Sequence, residues 1–102
     1  MGSMDLPSTK KSLGQHWLTD SVTLDAIVEA ADISPDEVVL EIGPGAGTLT
    51  EKLVVRAREV VAVEFDEALA HELAARVPAA NLKVVRQDIL RFDLTSLPPG
   101  YK

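Results

Sequence analysis

Seven consecutive residues, Glu41-Ile42-Gly43-Pro44-Gly45-Ala46-Gly47, set an acid before three glycines at alternate positions. A turn of this kind brings backbone very close to a ligand, because no side chain blocks the approach. Where such a turn opens a helix, the exposed N–H groups suit a polar or anionic group. The segment therefore reads as a cradle for a nucleotide or nucleoside. Glu64 follows 17 residues after Gly47. A carboxylate there can accept both hydroxyls of a ribose, as the acid of dinucleotide folds does. Asp88 is a third candidate, an acceptor for the amino group of an adenine. Glu41, beside the turn, suits a cationic amine. Taken singly, Glu64 reads as a solvated strand end and Asp88 as a turn residue; it is the three in order that carry the reading.

The spacing of the glycines decides between cofactors. A nicotinamide fingerprint requires Gly-x-Gly-x-x-Gly. Counted from Gly43, the third glycine falls on Thr48; counted from Gly45, it falls on Thr50. Both registers fail, which argues against a nicotinamide oxidoreductase. The spacing present, Gly-x-Gly-x-Gly after an acid, resembles that of S-adenosylmethionine methyltransferases.

Each of these groups needs a strand that ends beside it. Val38–Ile42 is a short apolar run bounded by a turn and glycines, and reads as a buried strand. Glu59–Glu64 and Leu82–Arg86 read as two more. Between them the pattern is helical. Thr48 with Glu51 resembles a capping box, and Leu49, Leu53 and Val54 form the inner face of that helix. Asp66 reads as the cap of the next helix rather than as a ligand, with Leu69, Leu73 and Val77 on one stripe and Pro78 at its end. Upstream, Asp20 or Ser21 can cap a helix whose apolar face is Val22, Ala26, Ile27 and Ala30, ended by Ser34-Pro35-Asp36. Residues 88–102 are expected to trail off through Pro98-Pro99-Gly100. Alternating helices and strands imply an α/β fold with a parallel sheet of about three strands and right-handed crossovers. In such sheets ligands bind at the carboxyl ends of the strands, where Glu41, Glu64 and Asp88 fall.

The 102 residues suit one small domain, and with aromatics at 4% its core must come from Val, Leu, Ile and Ala. No cysteine is present, which excludes disulfides and thiolate metal sites and fits a cytoplasmic protein. No apolar run is long enough for a membrane span. Met1-Gly2-Ser3 before Met4 reads as an expression-vector scar, residues 4–20 as an N-terminal basic segment, and 21–102 as the domain. The net charge of −6 argues against general nucleic-acid binding, but it is unevenly spread. Residues 21–77 hold four basic and twelve acidic groups, while 78–102 hold four basic and two acidic ones. A polyanion would meet the ends, through Lys10, Lys11, Arg86 or Arg91.

With these motifs in order, the chain resembles the KsgA family of ribosomal RNA adenine dimethyltransferases, and the related erythromycin-resistance methyltransferases. Lys10-Lys11-Ser12-Leu13-Gly14-Gln15-His16-Trp17-Leu18 matches the family's opening box, with Trp17 in place of Phe. Glu41 to Thr50, Val63-Glu64-Phe65-Asp66 and Gln87-Asp88-Ile89-Leu90 match its next motifs, so the resemblance runs from about Lys10 to Asp93. It implies a Rossmann-like class I methyltransferase fold, S-adenosylmethionine as cofactor, and methyl transfer to adenine N6 of small-subunit ribosomal RNA. By the same resemblance Gln15 and Leu18 border the methionine end of the cofactor. His16 between them counts as cofactor-binding, without an acid–base role. Gly43 and Gly45 line the loop beneath the cofactor, Glu64 with Phe65 holds the ribose, and Asp88 with the Ile89 backbone holds the adenine.

The family's catalytic Asn-Leu-Pro-Tyr type segment does not occur between Asp88 and Lys102. The chain is therefore expected to bind cofactor at most, and to be catalytically inactive alone. In the family sheet the first strand lies between the second and the fourth. Without a fourth, Val38–Ile42 is expected to be an apolar edge through which the chain self-associates, by edge pairing or domain swapping. A non-catalytic RNA-binding or ribosome-assembly module on the same fold is the alternative reading.

Overall fold

A computed structural model describes residues 21–102. Asp20, the basic segment and the opening box, with Gln15, His16 and Leu18, lie outside the described residues. The three β-branched runs become strands with the expected bounds: β1 Val38–Ile42, β2 Glu59–Glu64 and β3 Leu82–Arg86. All pairing is parallel and the order is β1-β2-β3, with Val38 opposite Glu59 and Val60 opposite Leu82. The helices are α1 Ser21–Ala31, α2 Thr48–Arg56 and α3 Glu67–Arg76. Two 3-10 turns, Ile89–Arg91 and Leu94–Ser96, follow β3.

Strand residues alternate between faces. Val39, Val60, Ala62, Leu82 and Val84 meet the helices, packing with Val28 and Leu53 on one side and with Leu73 and Val77 on the other. Both crossovers advance across the sheet in one direction, so a single handedness puts α2 and α3 on one face. Val60, Ala62 and Leu73 are wholly buried there. A buried Leu or Val contributes about 1.5–3 kcal/mol over an exposed one. Val38, Val61 and Val63 point the other way and pack with Leu97, Ile89 and Phe92.

Residues 88–102 therefore do not trail off. They fold back across the second face, because Val38, Val61 and Val63 otherwise leave an apolar surface in water. Lys102 anchors the segment: its backbone N–H donates to the Val38 carbonyl at 2.9 Å. Its ammonium donates to the Ala31 and Asp32 carbonyls at 2.8 Å each and pairs with Glu37 at 3.4 Å. A cation at the last carbonyls of α1 also complements the helix dipole.

Two further expectations need correction. The buried stripe of α1 is Leu24 and Val28 with Ala31 half-buried, whereas Val22 is 78% exposed and Ile27, Ala26 and Ala30 also face outward. Both stripes satisfy helical spacing; the packing of Val28 and Ala31 against Val39, Leu53 and Val60 selects the one with Leu24 and Val28. The capping box at Thr48 does not form. Gly47 is the N-cap of α2, with φ of 89° and no side-chain cap, so Thr48 already lies inside the helix. The cap assigned to Asp66 is present, its carboxylate accepting the Leu69 N–H at 3.0 Å. Asn81, at the approach to β3, donates from its amide to the Val54 and Ala57 carbonyls at 2.8 and 3.1 Å, tying the end of α2 to the sheet.

Candidate cofactor site at the carboxyl edge of the sheet

The glycine turn leaves β1 by extending its ladder: the Gly43 N–H donates to the Val63 carbonyl at 2.9 Å. The Gly47 N–H then closes a turn on the Pro44 carbonyl at 3.0 Å. Gly43, Gly45 and Gly47 all have positive φ, at 67°, 58° and 89°, a region side chains rarely adopt. They differ in surroundings. A Cβ at Gly43 or Gly45 would meet nothing within 4 Å, so the loop has open space beside it. A Cβ at Gly47 would lie 2.7 Å from Leu73 Cδ1 and 3.1 Å from Val77 Cγ2. Gly47 thus serves the close packing of α3, whereas Gly43 and Gly45 border open space.

Glu64 ends β2 only 7% exposed, and its carboxylate ties two segments together. Oε1 accepts the Gly45 N–H at 3.1 Å and Oε2 accepts the Asp66 N–H at 3.0 Å. An ionised carboxylate has about four acceptor positions, so each oxygen keeps acceptor capacity beyond the bond described. Asp88 is half-buried after β3 and caps the first 3-10 turn, accepting the Leu90 N–H at 3.0 Å, with Ile89 half-buried beside it. Phe65 is 65% exposed; the Arg86 guanidinium stacks on its ring at 5.6 Å and Nε donates to its carbonyl at 3.0 Å.

Glu41 is as buried as Glu64 and lies on the helix-covered face of β1. One of its oxygens accepts the Thr50 hydroxyl at 2.5 Å. Burial raises its pKa above the ordinary carboxylate value, and the Thr50 hydrogen bond partly opposes that rise. Thr50 has no exposed surface at all. Its importance was not read from the sequence, although a signal exists: Thr50 shares the buried face of α2 with Leu53, and a hydroxyl among apolar neighbours needs a partner.

The structure thus brings Glu41, Gly43, Gly45, Glu64, Phe65, Asp88 and Ile89 to one edge of the sheet. Two clefts lie elsewhere: one of about 410 Å³ between α1 and α2, lined by Asp25, Lys52 and Val55, and one of about 390 Å³ between α3 and β3, lined by His71, Ala74 and Val84. Neither is lined by Gly43, Gly45, Glu64 or Asp88. Among the described residues no group of acids and histidines could hold a metal ion, and no helix is long and apolar enough to cross a membrane.

A glycine cradle with acids at successive parallel strand ends, on this topology, defines a Rossmann-like class I methyltransferase fold. Solved structures agree. A dimethyladenosine transferase from Plasmodium falciparum superposes with a TM-score of 0.71 at 33% identity, over 74% of this chain and 29% of that one. The 23S rRNA methyltransferase ErmE gives 0.71 at 41% identity, over 78% of this chain and 32% of that one. The family model for ribosomal RNA adenine dimethylase matches residues 7–98, and the chain belongs to that family. Among curated relatives, ribosomal RNA small subunit methyltransferase A of Ligilactobacillus salivarius is 50% identical over 99 residues, 91% of this chain and 33% of the relative. The Geobacillus kaustophilus protein of the same name is 51% identical over 88 residues, covering 85% and 30%. The chain spans about a third of the length of these relatives.

Proposed function

We propose that this chain holds S-adenosylmethionine along the carboxyl edge of its sheet, as the donor-binding part of a methyltransferase acting on adenine N6 of small-subunit ribosomal RNA. Glu64 is the observation that carries the reading. A carboxylate buried at a strand end, tied to the glycine turn by one oxygen, is set to take a ribose while keeping the turn in register. Gly43 and Gly45 would lie under the cofactor, Asp88 and the Ile89 backbone would take the adenine, and Phe65 would offer its exposed ring beside them. When bound, the sulfonium supplies a methyl group to an adenine amine by direct displacement. The task left to protein residues in such a reaction is largely positioning. The Asn-Leu-Pro-Tyr type segment that the resemblance implies does not occur between Asp88 and Lys102, and on that ground the residues of this chain are proposed to serve donor binding rather than turnover. The reading implies a cytoplasmic protein whose larger partner is ribosomal RNA.

Calorimetric titration with S-adenosylhomocysteine tests this. Saturable binding is expected, and Glu64→Ala should weaken it at least a hundredfold, since two hydrogen bonds to a charged acceptor are lost. Binding unaffected by Glu64→Ala would remove the reading. RNA binding that persists without cofactor site residues, and that weakens steeply with salt, would instead favour the non-catalytic RNA-binding module.

We also infer that β1 pairs with a second copy of the chain. Its only neighbour in the described sheet is β2, and the Lys102 N–H occupies the Val38 carbonyl on the other side. Exposed strand edges recruit further strands. Light scattering should show dimers that grow with concentration; a monomer throughout would overturn the inference.

A further inference from the structure

The glycine turn is held at two points. At its crown the Gly45 N–H reaches Glu64 on β2. At its base Glu41, two residues before the turn, is joined to Thr50, in the first turn of α2. The second contact spans the whole loop from strand to helix, and it is made entirely from buried groups. Burying a carboxylate away from water is costly. A valine at position 50 would fill the same space as threonine without demanding a polar partner. Removing the Thr50 hydroxyl alone would leave the Glu41 carboxylate buried without its donor, whereas two apolar residues would carry no such cost, so the use of the pair has to be sought in the loop it closes.

We infer that Thr50 is a positioning residue for the cofactor site: its hydroxyl fixes the Glu41 carboxylate and thereby the spacing between the end of β1 and the start of α2, across which the glycine turn is stretched. The inference rests on the proposal that this turn carries the cofactor. Thr50 does not touch the ligand. It acts through Glu41, holding the turn in the geometry that leaves Gly43 and Gly45 open to the outside. A charged hydrogen bond of this kind is directional, so it fixes one arrangement where apolar packing would tolerate several.

Two substitutions separate this role from simple packing. Thr50→Val keeps the shape and removes the hydroxyl; Thr50→Ser keeps the hydroxyl and removes a methyl group. The measurements are affinity for S-adenosylhomocysteine by calorimetry and the thermal midpoint by circular dichroism, on this chain. If the hydroxyl positions the turn, Thr50→Val loses about tenfold in affinity and also melts lower, because the Glu41 carboxylate is left buried without its donor. Thr50→Ser keeps affinity within about threefold although its midpoint falls, as a buried methyl is lost. Equal affinity of Thr50→Val and the parent chain would overturn the inference, as would Thr50→Ser losing as much affinity as Thr50→Val. A parent chain that does not bind S-adenosylhomocysteine would bring down the cofactor proposal itself, a failure visible before either variant is compared.

Discussion

Along the single strand β2 the chain passes between two regimes. At Val60 the packed neighbours are apolar, Val28, Val39 and Leu53, and at Ala62 they are Leu73 and Val77, with Glu41 opposite it on β1. At Glu64, two residues on, burial is nearly as complete, yet the buried group is a carboxylate held by backbone N–H donors. Glu41 and Thr50 repeat the pattern on the neighbouring elements. All the buried polar or charged residues among those described, Glu41, Thr50 and Glu64, fall at this one edge. The body minimises its free energy by excluding polar groups, and the edge accepts their desolvation cost. A fold that bears such a cost in one place only is using that place.

The glycines give the largest expected effect that tests this division. Gly47 belongs to the body, since a methyl group there meets Leu73 and Val77. Gly47→Ala should cost about 3 kcal/mol, combining strain at positive φ with overpacking. For a domain of this size that lowers the thermal midpoint by about 12–24 °C. Adding Leu73→Ala should recover part of the loss, because it removes the obstructing Cδ1 atom. Strict additivity of the two would show that packing against α3 is not what Gly47 provides.

Gly45→Ala sharpens the comparison at smaller cost. The φ of 58° is similar, but a methyl group enters open space. Stability should fall by only about 1–2 kcal/mol. Affinity for S-adenosylhomocysteine should fall at least tenfold, because that space is where ligand is proposed to lie. Two glycines in one turn would thus fail differently, one in melting and one in binding. If Gly45→Ala bound normally, the open side of the turn would not be the site.

Much of this contrast is legible in the sequence, and the rest is hidden for physical reasons. The three strands are plain because Val, Leu and Ile cluster in runs of strand length between turn residues. Glu41, Glu64 and Asp88 stand out because each is an acid at or within two residues of the end of such a run. The face of α1 is not plain: Val22, Ile27, Leu24 and Val28 offer two stripes, and only the packing against Val39 and Leu53 selects one. The cap of α2 moves to Gly47 because the backbone there is left-handed, which no side-chain pattern announces. The return of residues 88–102 depends on an apolar second face that a β1 and β2 read in isolation do not reveal. Thr50 looks like an ordinary helix residue until Glu41 is found beneath it.

The finest effect expected is the part of the pH dependence of stability that Glu41 contributes. Its pKa is raised above 4.5, first by burial, with the Thr50 hydrogen bond acting against the rise. Between that ordinary value and the raised one, the folded protein keeps a proton that the unfolded chain has released. Stability therefore falls as pH climbs through this window and levels off above it. Glu37 and Asp93 act in the opposite sense. The Ser34 N–H lowers the first and the Thr95 hydroxyl and N–H lower the second, so their contributions are lost as pH falls. Glu41→Gln keeps the shape of the side chain and removes its titration. The difference in unfolding free energy between parent and Gln variant, from urea melts across the acid range, should decline as pH rises from 4.5. A difference that stayed flat would mean that Glu41 is as well solvated as a surface acid. The edge of the sheet would then differ from its body in composition but not in the cost of building it.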